Sequence, residues 1–185
     1  MSFTILYELC WKRYTIWITR YEEILQNVLS EAILVYLRSL LIMHQTDSIN
    51  QSQVEPLLTT YGWLPQSKVG QKAAGALFLV IQHANLETMQ RYLPVLKKAV
   101  EEGEASATSA ALMEDRILTW EGKRQLYGTQ ASGREQENGI TGYFIWPIKN
   151  PEEVNNRRAE VGFGTTVEEN AARLNATYNP DEELP

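Results

Sequence analysis

The chain is poor in the residues that most sharply mark a function. It has one cysteine, Cys10, so no disulfide can close within it. With no base beside it in sequence, Cys10 reads as a small buried hydrophobe rather than a nucleophile. There are two histidines, His44 and His83, and no tight spacing of histidine, cysteine and carboxylate. A metal site is therefore not expected, and no organic cofactor is implied. Basic residues do not cluster; Lys97-Lys98 and Arg157-Arg158 are the closest approach. With a formal net charge of -6 and a pI of about 5.1, this argues against a nucleic-acid partner, which needs a basic face.

Long apolar runs are also missing. Residues 24–43 are apolar-rich, but Glu31 and Arg38 interrupt them and Gln26, Asn27 and Ser30 lie inside, so no membrane span is expected. Lys12, Arg13 and Arg20 follow the first apolar stretch instead of preceding it, which is not a secretory pattern. A cytoplasmic location is the expectation. Glycine and proline are absent from the first 55 residues, so nothing there breaks a helix.

What is present is an ordinary globular composition, 44% hydrophobic and 22% charged over 185 residues, enough for one domain with a real core. The periodicity predicts a mainly α fold: a single helical domain with one small two-stranded β-hairpin. Residues 1–46 read as an N-terminal helical extension, 47–177 as the domain, and 178–185 as a flexible acidic tail. Apolar residues from Leu25 to Met43 recur at three and four, one buried stripe on a long helix. Tyr14–Thr19, β-branched and aromatic, fits a short strand or the start of that helix. Asp47 or Ser48 is the expected cap of the next helix, with Val54, Leu57, Leu58 and Tyr61 facing inward and Gly62 as its stop.

A third helix opens at Pro65 or Ser67 and runs to His83; its apolar residues, Val69, Ala73, Ala76, Leu77, Val80 and Ala84 on one face and Phe78, Leu79 and Ile81 on the others, make it central. Asn85 caps a fourth segment, which Pro94 should divide. Ser106, Thr108 or Ser109 starts a fifth, which turns Ala110, Met113, Ile117 and Trp120 to one side and ends at Gly122, with Asp115 offset from that stripe. Gln125–Gln130 and Tyr143–Trp146 read as the two strands, joined by the loop Ala131–Gly142. Asn150-Pro151-Glu152-Glu153 starts a helix that Gly162 ends, and Thr165 or Thr166 with Glu168 or Glu169 makes a capping box for the last one.

From Asp47 to Gly162 the chain resembles the bacterial domain of unknown function family DUF6624. The resemblance is carried by Tyr61-Gly62-Trp63, Val69-Gly70, Gln82-His83-Ala84, Tyr92-Leu93-Pro94, Gly103-Glu104-Ala105-Ser106, Glu114-Asp115-Arg116-Ile117-Leu118, Glu121-Gly122-Lys123, Tyr127-Gly128-Thr129-Gln130, Arg157-Arg158 and Val161-Gly162, in that order. It implies a mostly helical fold and brings no activity. Two features depart from the family pattern. Asn85 stands where similar proteins usually have an acid, and no Asp-Gln pair followed by an arginine occurs before Asp47. Residues 1–45 match nothing in the family.

The unusual polar residues lie between Ile81 and Gln130, and the leading reading is a small-molecule pocket there. In its catalytic form His83 is the base, since an imidazole titrates near neutrality, and Asp115 orients it. Arg116 or Arg157 would hold an anion, while Gln82, Gln125, Tyr127, Thr129 and Gln130 would fix orientation without charge. Each has a plainer reading: His83 bonded to a carbonyl, Asp115 in a buried ion pair with His83 or Arg157, Arg157-Arg158 as a helix cap, and Tyr127–Gln130 as a strand edge. The residues do not choose between an enzyme and a binding protein. The alternative is a protein-interaction or structural module, in which the N-terminal helix with Trp11, Tyr14 and Trp17 docks a partner or a second copy.

Overall fold

The structure, a computed structural model, describes residues 3–136 and 139–185, with side chains from residue 31 onward. Cys10, Trp11, Tyr14 and Trp17, and with them the expectation of an aromatic docking face, lie outside the described side chains. The chain divides into two compact units at Ile49 and Asn50.

Helix α1 runs without a break over Phe3–Tyr61. Tyr14–Thr19 is therefore helical, the second of the two readings open to it. The cap expected at Asp47 or Ser48 does not form, because without glycine or proline nearby nothing stops the preceding helix. Pro56 sits inside α1 on an exposed position. In the first unit Ile33, Leu34, Val35, Tyr36, Leu37, Leu41, Ile42 and Met43 are exposed, so the apolar stripe expected to be buried is open over residues 31–43 except at the half-buried Leu40.

The second unit holds everything else. Of the inner face expected at its start, Leu58 is buried and Val54 half-buried, while Leu57 and Tyr61 are exposed. The third helix is split. Helix α2, Gln66–Val69, is followed by Gly70 at φ 83, a conformation open to glycine, and then by α3, Gln71–Gln82. Ala74, Leu77, Phe78 and Ile81 are the buried apolar side chains of α3, one position round from the expected stripe, and Ala73, Ala76 and Leu79 are exposed. This helix lies at the edge of the core, not at its centre.

Asn85 caps α4, Leu86–Glu101, through Oδ1 and the Thr88 N–H at 2.9 Å. Pro94 does not divide α4. The proline is exposed, where the carbonyl it leaves without an N–H is cheapest to tolerate. Ser106 caps α5, Ala107–Trp120, which buries Ala110, Met113 and Ile117 but leaves Trp120 exposed. Together α1, α3, α4 and α5 enclose the larger core, with Leu58, Trp63, Phe78, Ile81, Met89, Leu96 and Met113 among its members.

The hairpin is present but displaced. Gln125–Gln130 is not a strand; β1 is Ala131–Glu135, inside the segment expected as loop, and pairs antiparallel with β2, Thr141–Ile145. A third strand, β3 at Ala176–Thr177, adds in parallel to β2 and was not expected. After a 3₁₀ turn at Pro151–Glu153 come α6, Val154–Glu160, and α7, Val167–Arg173. Asn150 takes a left-handed conformation and makes no side-chain cap, but the Thr166/Glu169 capping box forms in full. Ile145, Ile148, Val154, Val167 and Ala171 make a second small core. The tail is tied back: Glu182 accepts from Arg134 at 2.7 Å and its carbonyl from Arg124 at 3.0 Å.

Candidate functional site

Asp115 is fully buried, and both its oxygens face backbone. Oδ1 accepts from the N–H of Leu126 at 2.7 Å and of Tyr127 at 3.1 Å, and Oδ2 from Tyr127 at 3.2 Å and Thr129 at 3.0 Å. Burial pushes the Asp115 carboxyl above the usual range, against the downward pull of the Thr129, Leu126 and Tyr127 amides. Instead of a strand, residues 125–130 form a loop wrapped on this carboxylate. Gly128 makes the wrap possible: its φ is 67, and a Cβ there would lie 2.5 Å from Val167 Cγ2.

The carbonyls of the same loop are bound from the other elements. Arg157 Nε donates to Leu126 O at 2.9 Å, Arg158 Nη1 to Tyr127 O at 2.8 Å, and Asn170 Nδ2 to Gly128 O at 2.9 Å. Gln125 replaces a strand neighbour: its Nε2 donates to Gln130 O at 2.9 Å and Trp146 O at 2.6 Å, and its Oε1 accepts from the Gln130 N–H at 2.9 Å. Buried backbone polar groups need such partners, and here side chains supply them. Three of the expected site residues, Asp115, Gln125 and Arg157, thus hold a loop together.

Arg158 is only 1% exposed. It also donates to Thr165 O at 2.8 Å and Thr165 Oγ1 at 3.0 Å, and its guanidinium lies 4.6 Å over the Phe163 ring. Burial lowers its pKa, while the Asp115 charge acts in the opposite sense. A sequence signal for its burial exists: Val154 and Arg158 stand four apart on the face that α6 turns inward, and the half-buried Val161 follows three further on at its end.

His83 is exposed at the end of α3, where its carbonyl accepts from Gln51 Nε2 at 3.4 Å. No hydrogen bond joins it to Asp115, whose oxygens are committed to the loop. The expected base and its orienting acid are therefore not brought together.

Four other expected residues do meet. Gln82, Arg116, Thr129 and Gln130 line an open cavity of about 480 Å³ with Phe78, Leu79, Leu112, Ala131, Tyr143 and Leu174. Arg116 projects from α5 and donates through Nη1 to Gln82 O at 2.8 Å and through Nε to Gln130 Oε1 at 3.4 Å. Gln130 Nε2 in turn donates to Thr129 Oγ1 at 3.0 Å. Arg116 is half-buried, burial lowers its pKa, and it makes no ion pair among the described residues. Gln82 Nε2 donates to Leu112 O at 3.3 Å, while its buried Oε1 has no partner among the described residues.

Tyr127 lines a different and smaller cavity, of about 210 Å³, where Lys97 and Glu114 already neutralise each other at 2.7 Å. A third, of about 250 Å³ around Trp63, Gln71 and Ser109, has no charged side chain in its wall. The lining residues Leu79, Leu112, Tyr143 and Leu174 of the Arg116 cavity carried no signal in sequence, since isolated apolar residues from four elements say nothing of where they meet. Among the described residues no cluster of histidine, cysteine and carboxylates fit for a metal occurs, and no helix is long and apolar enough to cross a membrane.

The comparisons with known proteins give a family and no activity. No curated protein and no solved structure matches the chain. The family model described as a family of unknown function, DUF6624, matches residues 23–180, which takes in every residue of the Asp115 loop and of the Arg116 cavity. It also covers residues 23–46, where the sequence offered no resemblance. The chain therefore belongs to DUF6624, a family of unknown function.

Proposed function

We propose that the chain binds a small molecule in the cavity lined by Gln82, Arg116, Thr129 and Gln130. The observation that carries the reading is the state of Arg116. A half-buried guanidinium without a carboxylate, in the wall of an open and mostly apolar cavity, has donors to give. Gln82, in the same wall, has a buried Oε1 without a partner among the described residues, an acceptor of a kind that native proteins seldom leave unsatisfied. A volume of about 480 Å³ is within the usual range for small-molecule sites. The Asp115 loop serves this site by fixing Thr129 and Gln130 at its wall. Catalysis by His83 with Asp115 is not part of the proposal, because a carboxylate engaged by three backbone amides has nothing left to orient an imidazole.

A thermal-shift screen against a metabolite library tests the reading, run on the wild type and on Ala131→Trp. Ala131 is exposed at the cavity's edge, so the larger ring fills the space with little cost to the fold. A compound that stabilises the wild type and not the variant is the expected result. Compounds that stabilise both equally, or none that stabilises either, would remove the cavity from consideration.

A second reading, a protein-interaction module, draws on the exposed apolar residues Ile33, Leu34, Val35, Leu37, Leu41 and Ile42 of α1. Sedimentation velocity decides it: self-association that Leu34→Glu with Leu41→Glu abolishes would support it, and a concentration-independent monomer would reject a second copy as the partner.

A further inference from the structure

We infer that the ligand of the Arg116 cavity is an amphiphilic monocarboxylate: an apolar body with one carboxylate at its end. This rests on the binding reading above and narrows it to a chemical class. Arg116 is the one charged side chain in the cavity wall among the described residues, so the described wall carries a single positive charge that no acid in it offsets. That excludes a cationic ligand. It also disfavours a phosphate monoester, whose charge of about -1.5 to -2 at neutral pH would leave an excess beside apolar walls.

The geometry of the donors agrees. Nε and Nη1 of Arg116 are engaged by Gln130 and by the Gln82 carbonyl, whereas Nη2 has no partner among the described residues. Held in this way the guanidinium is fixed in orientation, and its remaining N–H groups form the fork that a planar carboxylate fits. The rest of the wall is chiefly apolar, with Phe78, Leu79, Leu112 and Leu174 offering surface to a chain or ring. Leu79 is 55% exposed at the lip, and a ligand body would cover it.

The test uses octanoate, octanamide and octyl phosphate as probes on the full chain, with affinities read by amide chemical-shift titration. Octanoate should bind in the cavity at least about tenfold more tightly than octanamide, the ratio expected when a charged hydrogen bond replaces a neutral one. Arg116→Gln should bring the two to the same affinity. Because Arg116 also holds the Gln82 carbonyl, Leu79→Glu is a second variant: both probes lose an apolar contact at this exposed position on the lip, but the added negative charge should weaken octanoate several-fold more than octanamide. Octanamide binding as well as octanoate would overturn the carboxylate class and leave the cavity reading standing. Tighter binding of octyl phosphate would overturn it in favour of a phosphate-bearing ligand. If no probe reaches the cavity at millimolar concentration the class is also overturned, and the cavity reading then stands or falls on the library screen with Ala131→Trp alone.

Discussion

Asp115 and Arg158 hold the same residue by its two ends. The carboxylate accepts from the Tyr127 N–H at 3.1 Å, and the guanidinium donates to the Tyr127 carbonyl at 2.8 Å. Neither ionic group pairs with the other directly; the loop between them takes both. Replacing Asp115 by Asn keeps the shape but turns an amide NH₂ toward backbone N–H groups. Asp115→Asn should lose about 3 kcal/mol of stability in urea melts, the cost of leaving buried donors unmatched. A loss below about 0.5 kcal/mol would mean the loop does not depend on the carboxylate.

Arg158→Lys keeps the charge and loses the fork. The three bonds to Tyr127 O, Thr165 O and Thr165 Oγ1 and the stack on Phe163 need a planar group, which an ammonium cannot replace. The variant should unfold about 2 kcal/mol more easily than the wild type, measured in the same melts. In a double-mutant cycle with Asp115→Asn the two effects should fall short of additivity, since both act on one loop.

Gly128→Ala should destabilise the chain by about 2 kcal/mol or more, through an unfavourable positive φ together with overpacking. The added methyl would meet Val167 Cγ2 at 2.5 Å and Ile148 Cδ1 at 2.9 Å, and both belong to the smaller core. Gly122→Ala is the control, with a φ of 69 but open space around it, and should cost less. Equal losses in the two variants would mean that backbone conformation alone accounts for the effect.

The joint between α2 and the loop from α4 to α5 should respond to acid. The Ser67 N–H and hydroxyl hold the Glu104 carboxyl below its ordinary pKa, at 2.9 and 2.7 Å. A depressed folded pKa means that the unfolded chain binds the proton more readily. The contact's contribution is therefore fully present above the unfolded carboxylate value and is lost as pH falls through the lower folded one. The stability gap between wild type and Glu104→Gln should be constant near pH 7 and close as pH drops below about 4. A gap that does not change with pH would show that the charge plays no part.

The helices were legible where local chemistry decides them. The Asn85 and Ser106 caps, the Thr166/Glu169 box and the stop after α5 depend on residues adjacent in sequence, and they stand as expected. Pro94 misled because exposure, which is a tertiary property, decides what an interior proline costs. The displaced hairpin has a similar cause. Tyr127–Gln130 has strand-like residues, but Asp115, Arg158 and Asn170 bind its backbone in place of another strand. For the site, Gln82, Arg116, Thr129 and Gln130 could be picked out by residue type, and the cavity does gather them. Which neighbours in sequence would be consumed by structure could not: Asp115 and Arg116 are adjacent, and one is sealed while the other lines an opening.

Whether Arg116 faces a ligand is read most plainly from Arg116 itself. In ¹⁵N-labelled protein titrated with octanoate, the Arg116 Nε–H signal should move together with the side-chain amides of Gln82 and Gln130, saturating at one affinity, while the Asn170 side-chain amide behind the loop stays put. Shifts confined to other surfaces, with the Arg116, Gln82 and Gln130 signals unmoved by octanoate and by every hit from the library, would contradict the account.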